Sequence, residues 1–176
     1  MSSPGASVAL PITAIDHVGI AVPDLDAAID FHVSVLGGVL AHREHNAEQG
    51  VEEAMIAFGD GAQIQLLAPL SPESTIAKFL DRSGPGLQQL AFRVDDVRAA
   101  AELARAAGIR TLYDEPRRGT AGSSINFLHP KDAGGVLVEL VQSADRSGQS
   151  AEDLSAGREI GVASAESATA SGTMTA

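Results

Sequence analysis

The sequence predicts an α+β fold in which two repeated βαβββ modules form one curved sheet around a cleft. Three observations carry this expectation. IDHVGIAVPDLDAAIDFHVSVLGGVL (15–40) aligns with LQQLAFRVDDVRAAAELARAAGIRTL (87–112), 72 positions further on, with a one-residue slip near Gly37 and Gly108. The halves also end alike, in AQIQLLAP (62–69) and VLVELVQS (136–143). Each copy opens with strand-like alternation and then changes to an Ala-rich helical pattern. Such repeats are commonly two copies of one supersecondary unit that bury a shared face.

Residues 1–12 are small and Pro/Gly-containing and read as a flexible lead. The first module spans about 13–70 and the second about 85–142. In each, the opening strand ends at a valine, Val22 or Val94, and an aspartate, Asp24 or Asp96, stands where a helix N-cap is needed. Each helix runs toward a glycine, Gly37 or Gly108, suited to the left-handed position past a helix end. A second strand then follows in each half, with further strands behind it. Between the modules, a short helix after Pro72 carries Lys78 and Phe79 as amphipathic packing residues. Residues 143–176 are rich in Ser, Ala, Gly and Thr and contain no aromatic residue, so they read as a disordered tail that cannot offset its ordering entropy.

Composition excludes several function classes. The 176 residues are 44% hydrophobic, enough for a real core. With 12 basic against 23 acidic residues the net charge is −11, which argues against a nucleic-acid partner, since phosphate contacts need clustered Lys and Arg. No apolar run approaches the ~20 residues of a membrane helix, so no membrane partner is expected. The start, MSSPGASVALPIT, lacks the basic and apolar regions of a signal peptide. There is no cysteine, which removes disulfides, thiolate metal sites and thiol nucleophiles and points to a reducing, cytoplasmic location.

Alternation assigns the strand faces. Val18, Ile20 and Val22 share the helix-packed face, so His17 faces the cleft. Leu90, Phe92 and Val94 do the same in the second module, which turns Gln89 to the cleft and Gln88 away from it. Ile64 and Leu66 leave Gln65 in the cleft; Val138 and Leu140 leave Glu139 there. His17, Gln65, Gln89 and Glu139 thus occupy two repeat-related pairs of positions. One imidazole, two amide oxygens and one carboxylate compose an octahedral metal site with two positions open. Oxygen-rich ligation suits Co²⁺, Mn²⁺, Ni²⁺ or Mg²⁺. Hydrogen-bonded structural roles remain the alternative for each of the four.

The segments DHVGIAVPDLDAAI, EQGV, IQLLAPL, IAKFL, GPGLQQLAFRVDD and NFLHPKDAGGVLVELV resemble the methylmalonyl-CoA epimerases of the vicinal oxygen chelate (glyoxalase/dioxygenase) superfamily. The resemblance covers roughly residues 13–142. It implies one divalent metal per chain, commonly cobalt or manganese, held by His17, Gln65 and Glu139. The fourth ligand of the family is usually a His in a GxHH motif, and this chain has Gln89 there. An amide oxygen can replace the imidazole, as a Gln ligand does in related glyoxalases. The resemblance also implies that Glu48, of EQGV, and Glu139 are the general bases that epimerise a CoA ester. By composition alone, Glu48 reads as one of several solvated carboxylates with Glu44, Glu52 and Glu53.

Arg117 and Arg118, with Lys131, form the densest basic cluster and are candidates for CoA phosphates. His129 reads as structural, bonding to backbone, His42 and His45 as exposed, and His32 as a surface or core-edge residue. Two other functions stay open: a glyoxalase I-like lyase acting on a thiol hemithioacetal, and a non-catalytic ligand-binding module. A homodimer is expected, because pairing would cover exposed sheet edges.

Overall fold

Among the described residues, eight strands and two of three α-helices follow the repeat, the third linking its halves. A computed structural model describes residues 9–59 and 61–144. The first module comprises β1 (Ile12–Ala21), α1 (Leu25–Asp30), β2 (Val39–Asn46), β3 (Val51–Ala57) and β4 (Gln63–Pro69). After the linking helix α2 (Thr75–Ser83) come β5 (Gly86–Val94), α3 (Val97–Ala106), β6 (Arg117–Arg118), β7 (Ser124–Leu128) and β8 (Val138–Gln142). Of the ends read as loose, residues 1–8 and 145–176 lie outside the described residues. Leu10 packs on the second module's core, and strand pairing begins at Ile12.

The strands form one mixed sheet in the order β2-β3-β4-β1-β5-β8-β7-β6. Within each module the first and last strands pair parallel, β1 with β4 and β5 with β8. The modules join where β1 meets β5 antiparallel. The sheet curls until its edges approach. Ala121, just past the β6 edge, donates its N–H to Glu44 on β2, and Arg117 on β6 pairs with Glu48 just past β2. Helices α1 and α3 cover the convex side, and the concave side, on which α2 packs, forms the expected cleft.

Local chemistry explains the helices. Asp24 and Asp96 each accept an N–H from the third residue along, Ala27 or Ala99, at 3.0 Å. α1 continues as a π-helical turn over Phe31–Val35, closed by the Leu36 N–H to Phe31 O bond, before Gly37 at φ +75°. Within that turn the His32 ring bonds the Ala28 carbonyl. Val22, Leu25, Ala54, Ile56 and Leu66 bury the first helix face; Val94, Val97, Ala100, Ala104, Leu128 and Leu140 bury the second. On the concave side, Ala21, Val51 and Leu67 pack against Ile76 and Phe79 of α2, the packing role expected for Phe79.

One strand departs from expectation. After Gly108 the chain makes only an isolated bridge from Thr111 to Leu128. Pro116, with no N–H to give a ladder, follows closely, and the edge strand shrinks to Arg117–Arg118. Asn126 replaces the missing ladder by bonding both the N–H and the carbonyl of Tyr113.

These contacts order two variants by cost. Asp96→Ala removes a cap and is expected to lower unfolding free energy by about 1 kcal/mol. Leu140→Ala, at a fully buried position, should cost about 2–5 kcal/mol. Urea unfolding followed by circular dichroism checks both the size and the ranking.

Candidate active site

Four polar side chains from the inner strands meet in the concave face. His17 (β1), Gln65 (β4), Gln89 (β5) and Glu139 (β8) are 4%, 3%, 8% and 4% exposed, so each must find partners. They find one another. Gln89 Nε2 lies 2.5 Å from Glu139 Oε2, 3.1 Å from Gln65 Oε1 and 3.4 Å from His17 Nε2. His17 Nε2 is in turn 3.1 Å from Glu139 Oε2. Two oxygens and an imidazole nitrogen, which offers its lone pair on giving up its proton, therefore surround one point. Turning the Gln89 amide over presents its oxygen to the same point, and the oxygen and nitrogen of an amide are nearly equivalent in shape. This donor set fits a cation. Among the described residues no group of three or more His, Cys, Asp or Glu could hold a metal ion; this cluster has two such ligands and draws the rest from amides.

The β1–β5 seam makes the meeting possible. Gly19 stands opposite Gln89, and a Cβ at Gly19 would come 2.5 Å from Gln89 Cγ. The bare backbone lets the glutamine lie across β1.

Surrounding groups fix the orientation of His17 and Gln65. Asp16 accepts from His17 Nδ1 at 2.9 Å and is itself held by Arg93 Nε at 2.8 Å. Burial opposes the charged imidazole, but the bonds to Asp16 and Glu139 outweigh it and raise the His17 pKa to about 9. Gln65 Nε2 donates to Glu53 Oε2 and to Thr120 Oγ1, both at 2.8 Å, which leaves its oxygen for the cluster. Glu53 is 1% exposed. Burial first, and the charge of Glu44 opposite it on β2, push the Glu53 pKa up to about 7. Thr120 precedes Ala121, a non-glycine residue at φ +53°, in the turn that brings the far edge over Gln65.

Two cavities flank the cluster. One, of about 160 Å³, is lined by Glu48, Gln88, Gln89, Tyr113 and apolar residues that include Val51, Leu67 and Phe127. The other, of about 360 Å³, touches His17 and Glu139 from the side of Asp16, Arg93 and His42. Glu48 stands at the mouth of the smaller one. Arg117 Nη1 holds Glu48 Oε1 at 3.0 Å and stacks over Tyr113 at 4.7 Å. Arg118 lines an adjoining groove with Glu48 and Arg117. Lys131 is exposed in the turn before β8 and lines none of these three cavities.

Several expectations change. Gln88 does not turn away from the cleft. Gly19 pairs with Gln89 and Ile20 with Leu87, so Gln88 is the extra residue of a β-bulge, and it lines the same cavity as Gln89. Glu53 is no solvated carboxylate. Val51, Glu53 and Met55 are all buried on alternate positions of β3, a pattern already visible beside helix-facing Ala54 and Ile56. His42 is half-buried against Glu44 at 2.7 Å, whereas His45 is exposed. His129 accepts the Lys131 N–H, the backbone role expected of it.

A sequence profile of the glyoxalase/bleomycin resistance protein/dioxygenase superfamily matches residues 16–127. The chain belongs to that superfamily. It is 38% identical over 130 residues to the ethylmalonyl-CoA/methylmalonyl-CoA epimerase of Cereibacter sphaeroides, covering 73% of this chain and 96% of that one. A crystal structure of methylmalonyl-CoA epimerase from Mycobacterium tuberculosis superposes with a TM-score of 0.74 at 55% identity, over 81% of this chain and 93% of the other. A methylmalonyl-CoA epimerase in complex with methylmalonyl-CoA and NH4+ superposes at 0.72 with 49% identity, over 76% and 96%. A probable lactoylglutathione lyase of Vibrio cholerae is more distant, 29% identical over 128 residues, covering 72% of this chain and 88% of that one.

The seam yields a direct test. Gly19→Ala is expected to push Gln89 off the cluster and weaken Co²⁺ binding by about 10–100-fold, the range found for lost supporting groups. Calorimetric titration with Co²⁺ measures it, and unchanged affinity would show that Gln89 does not depend on Gly19.

Proposed function

We propose that this chain is a methylmalonyl-CoA epimerase. It interconverts (2R)- and (2S)-methylmalonyl-CoA by removing the C2 proton on one face and returning a proton on the other. The observation that carries the reading is that Glu48 and Gln89 line one cavity while Glu139, bonded to Gln89, lines the adjoining one, so the two glutamates stand on opposite sides of the cluster. A substrate whose C2 lies at the cluster meets Glu48 from one cavity and Glu139 from the other. The similarity to epimerases along most of the chain supports the substrate class, and the greater distance of the lyase disfavours hemithioacetal chemistry. A purely sequestering module has no need of a second carboxylate or of a complete donor set.

His17, Gln65, Gln89 and Glu139 would hold one divalent cation, Co²⁺ or Mn²⁺ by the character of the set. When bound, it supplies positive charge that stabilises the enolate oxygens and so acidifies C2. The proton itself is carried by the chain's own groups. One glutamate, as carboxylate, takes the C2 proton, and the C–H electron pair enters the enolate. The other, as carboxylic acid, delivers a proton to the opposite face, and the pair returns to carbon. The two glutamates exchange protonation states, and proton exchange with solvent restores them before the next conversion in the same direction. Asp16 and Glu53 act through their neighbours, holding the His17 ring and the Gln65 amide in the orientations their roles need.

Arg117 and Arg118, beside Glu48 at the mouth, are the groups we assign to the CoA phosphates; Lys131, away from these cavities, is not needed there. Exposed Phe31, Val35, Leu36, Val39 and Leu40, at the end of α1 and on edge strand β2, support a homodimer. Absence of cysteine supports a cytoplasmic setting. Among the described residues no helix is long and apolar enough to cross a membrane.

Proton NMR of (2S)-methylmalonyl-CoA in D₂O, with protein stripped of metal and then loaded with Co²⁺, tests the activity. Metal-dependent epimerisation with deuterium at C2 is expected; no exchange in either state rejects the epimerase. Glu48→Gln should keep Co²⁺ and lose about 10²–10⁴ in turnover, the usual worth of a general base, whereas His17→Ala should lose the metal as well. Full activity in Glu48→Gln rejects the two-base assignment.

A further inference from the structure

We propose that Gln88 binds the amide-bearing arm of the thioester substrate, accepting an amide N–H through Oε1. This assignment rests on the CoA-ester reading above. Gln88 is the extra residue of the β5 bulge and shares a cavity with Gln89 and Glu48. Its Oε1 is shut off from solvent and has no hydrogen-bond partner. A buried acceptor left without a donor is costly, and such atoms mark places where a ligand completes the bonding.

The chemistry of the substrate selects the donor. The reacting head of a methylmalonyl thioester presents a thioester carbonyl and a carboxylate, which are acceptors only. Its nearest hydrogen-bond donor is the amide N–H two methylenes beyond the sulfur. An acceptor adjacent in sequence to Gln89 is therefore matched to the arm and not to the head. The cavity walls agree: Ile76, Leu112, Phe127 and Leu137 offer apolar surface suited to methylenes. The bulge thus gives neighbouring glutamines separate tasks, Gln89 toward the cluster and Gln88 toward the carrier.

The test compares substrates with and without the amide. Gln88→Met keeps the side-chain length and removes the amide. It is expected to lower kcat/KM on methylmalonyl-CoA about tenfold, chiefly through KM, and to leave turnover of methylmalonyl S-propyl thioester unchanged. Gln88→Glu, which keeps an acceptor, should stay within about threefold of wild type on the CoA ester, nearer to it than a variant lacking the bond. Equal loss on both substrates, or no loss on either, overturns the assignment. A second measurement needs no variant. Wild type should prefer the methylmalonyl thioester of N-acetylcysteamine over its ester-for-amide analogue by about tenfold, and equal rates overturn the proposal. Wild-type turnover of methylmalonyl-CoA without amide discrimination counts against Gln88 alone, and absence of that turnover rejects the epimerase reading together with it.

Discussion

The cleft depends on the antiparallel seam between β1 and β5. It joins the two modules, and it is where His17 and Gln89, 72 residues apart, come within 3.4 Å. The parallel partners β4 and β8 flank it and carry Gln65 and Glu139. Each side chain reaches the centre because period 2 leaves a polar residue inward wherever its neighbours face a helix. Gly19 is the least visible member of this arrangement. Without a Cβ there, Gln89 can cross the seam and complete the ring of donors.

Electrostatics follow from that geometry. The chain is strongly acidic, yet the centre is a balanced set: one imidazole between two carboxylates, with two amides that can turn either end inward. Glu53, pushed toward its neutral form by burial and by Glu44, accepts the Gln65 amide without adding a full charge to the floor. Local positive charge appears at the mouth, where Arg117 meets Glu48 and Arg118 stands beside it. The division suits a substrate whose reacting end is small and whose far end is a set of phosphates.

Much of this was legible in the sequence because a repeat states the same rule twice. The capping aspartates, the strand faces of His17, Gln65, Gln89 and Glu139, and the helix-ending glycines all followed from aligning the halves. What escaped has local causes. A bulge breaks the alternation by one residue, so strict alternation puts Gln88 on the wrong face; only the pairing of Gly19 and Ile20 reveals it. Composition groups Glu53 with its charged neighbours, whereas alternation with Val51 and Met55 on β3 turns it inward. The short edge strand at Arg117–Arg118 reflects Pro116 and the Asn126 bonds to Tyr113, a long-range substitution that no window of sequence displays.

The most direct measurement is anomalous diffraction from crystals of the Co²⁺-loaded protein, recorded at the cobalt edge. One peak per chain is predicted, bonded to His17 Nε2, the Gln65 and Gln89 amide oxygens and a Glu139 carboxylate oxygen. A peak elsewhere, or one at the cluster with Gln89 turned aside, would contradict the four-residue site.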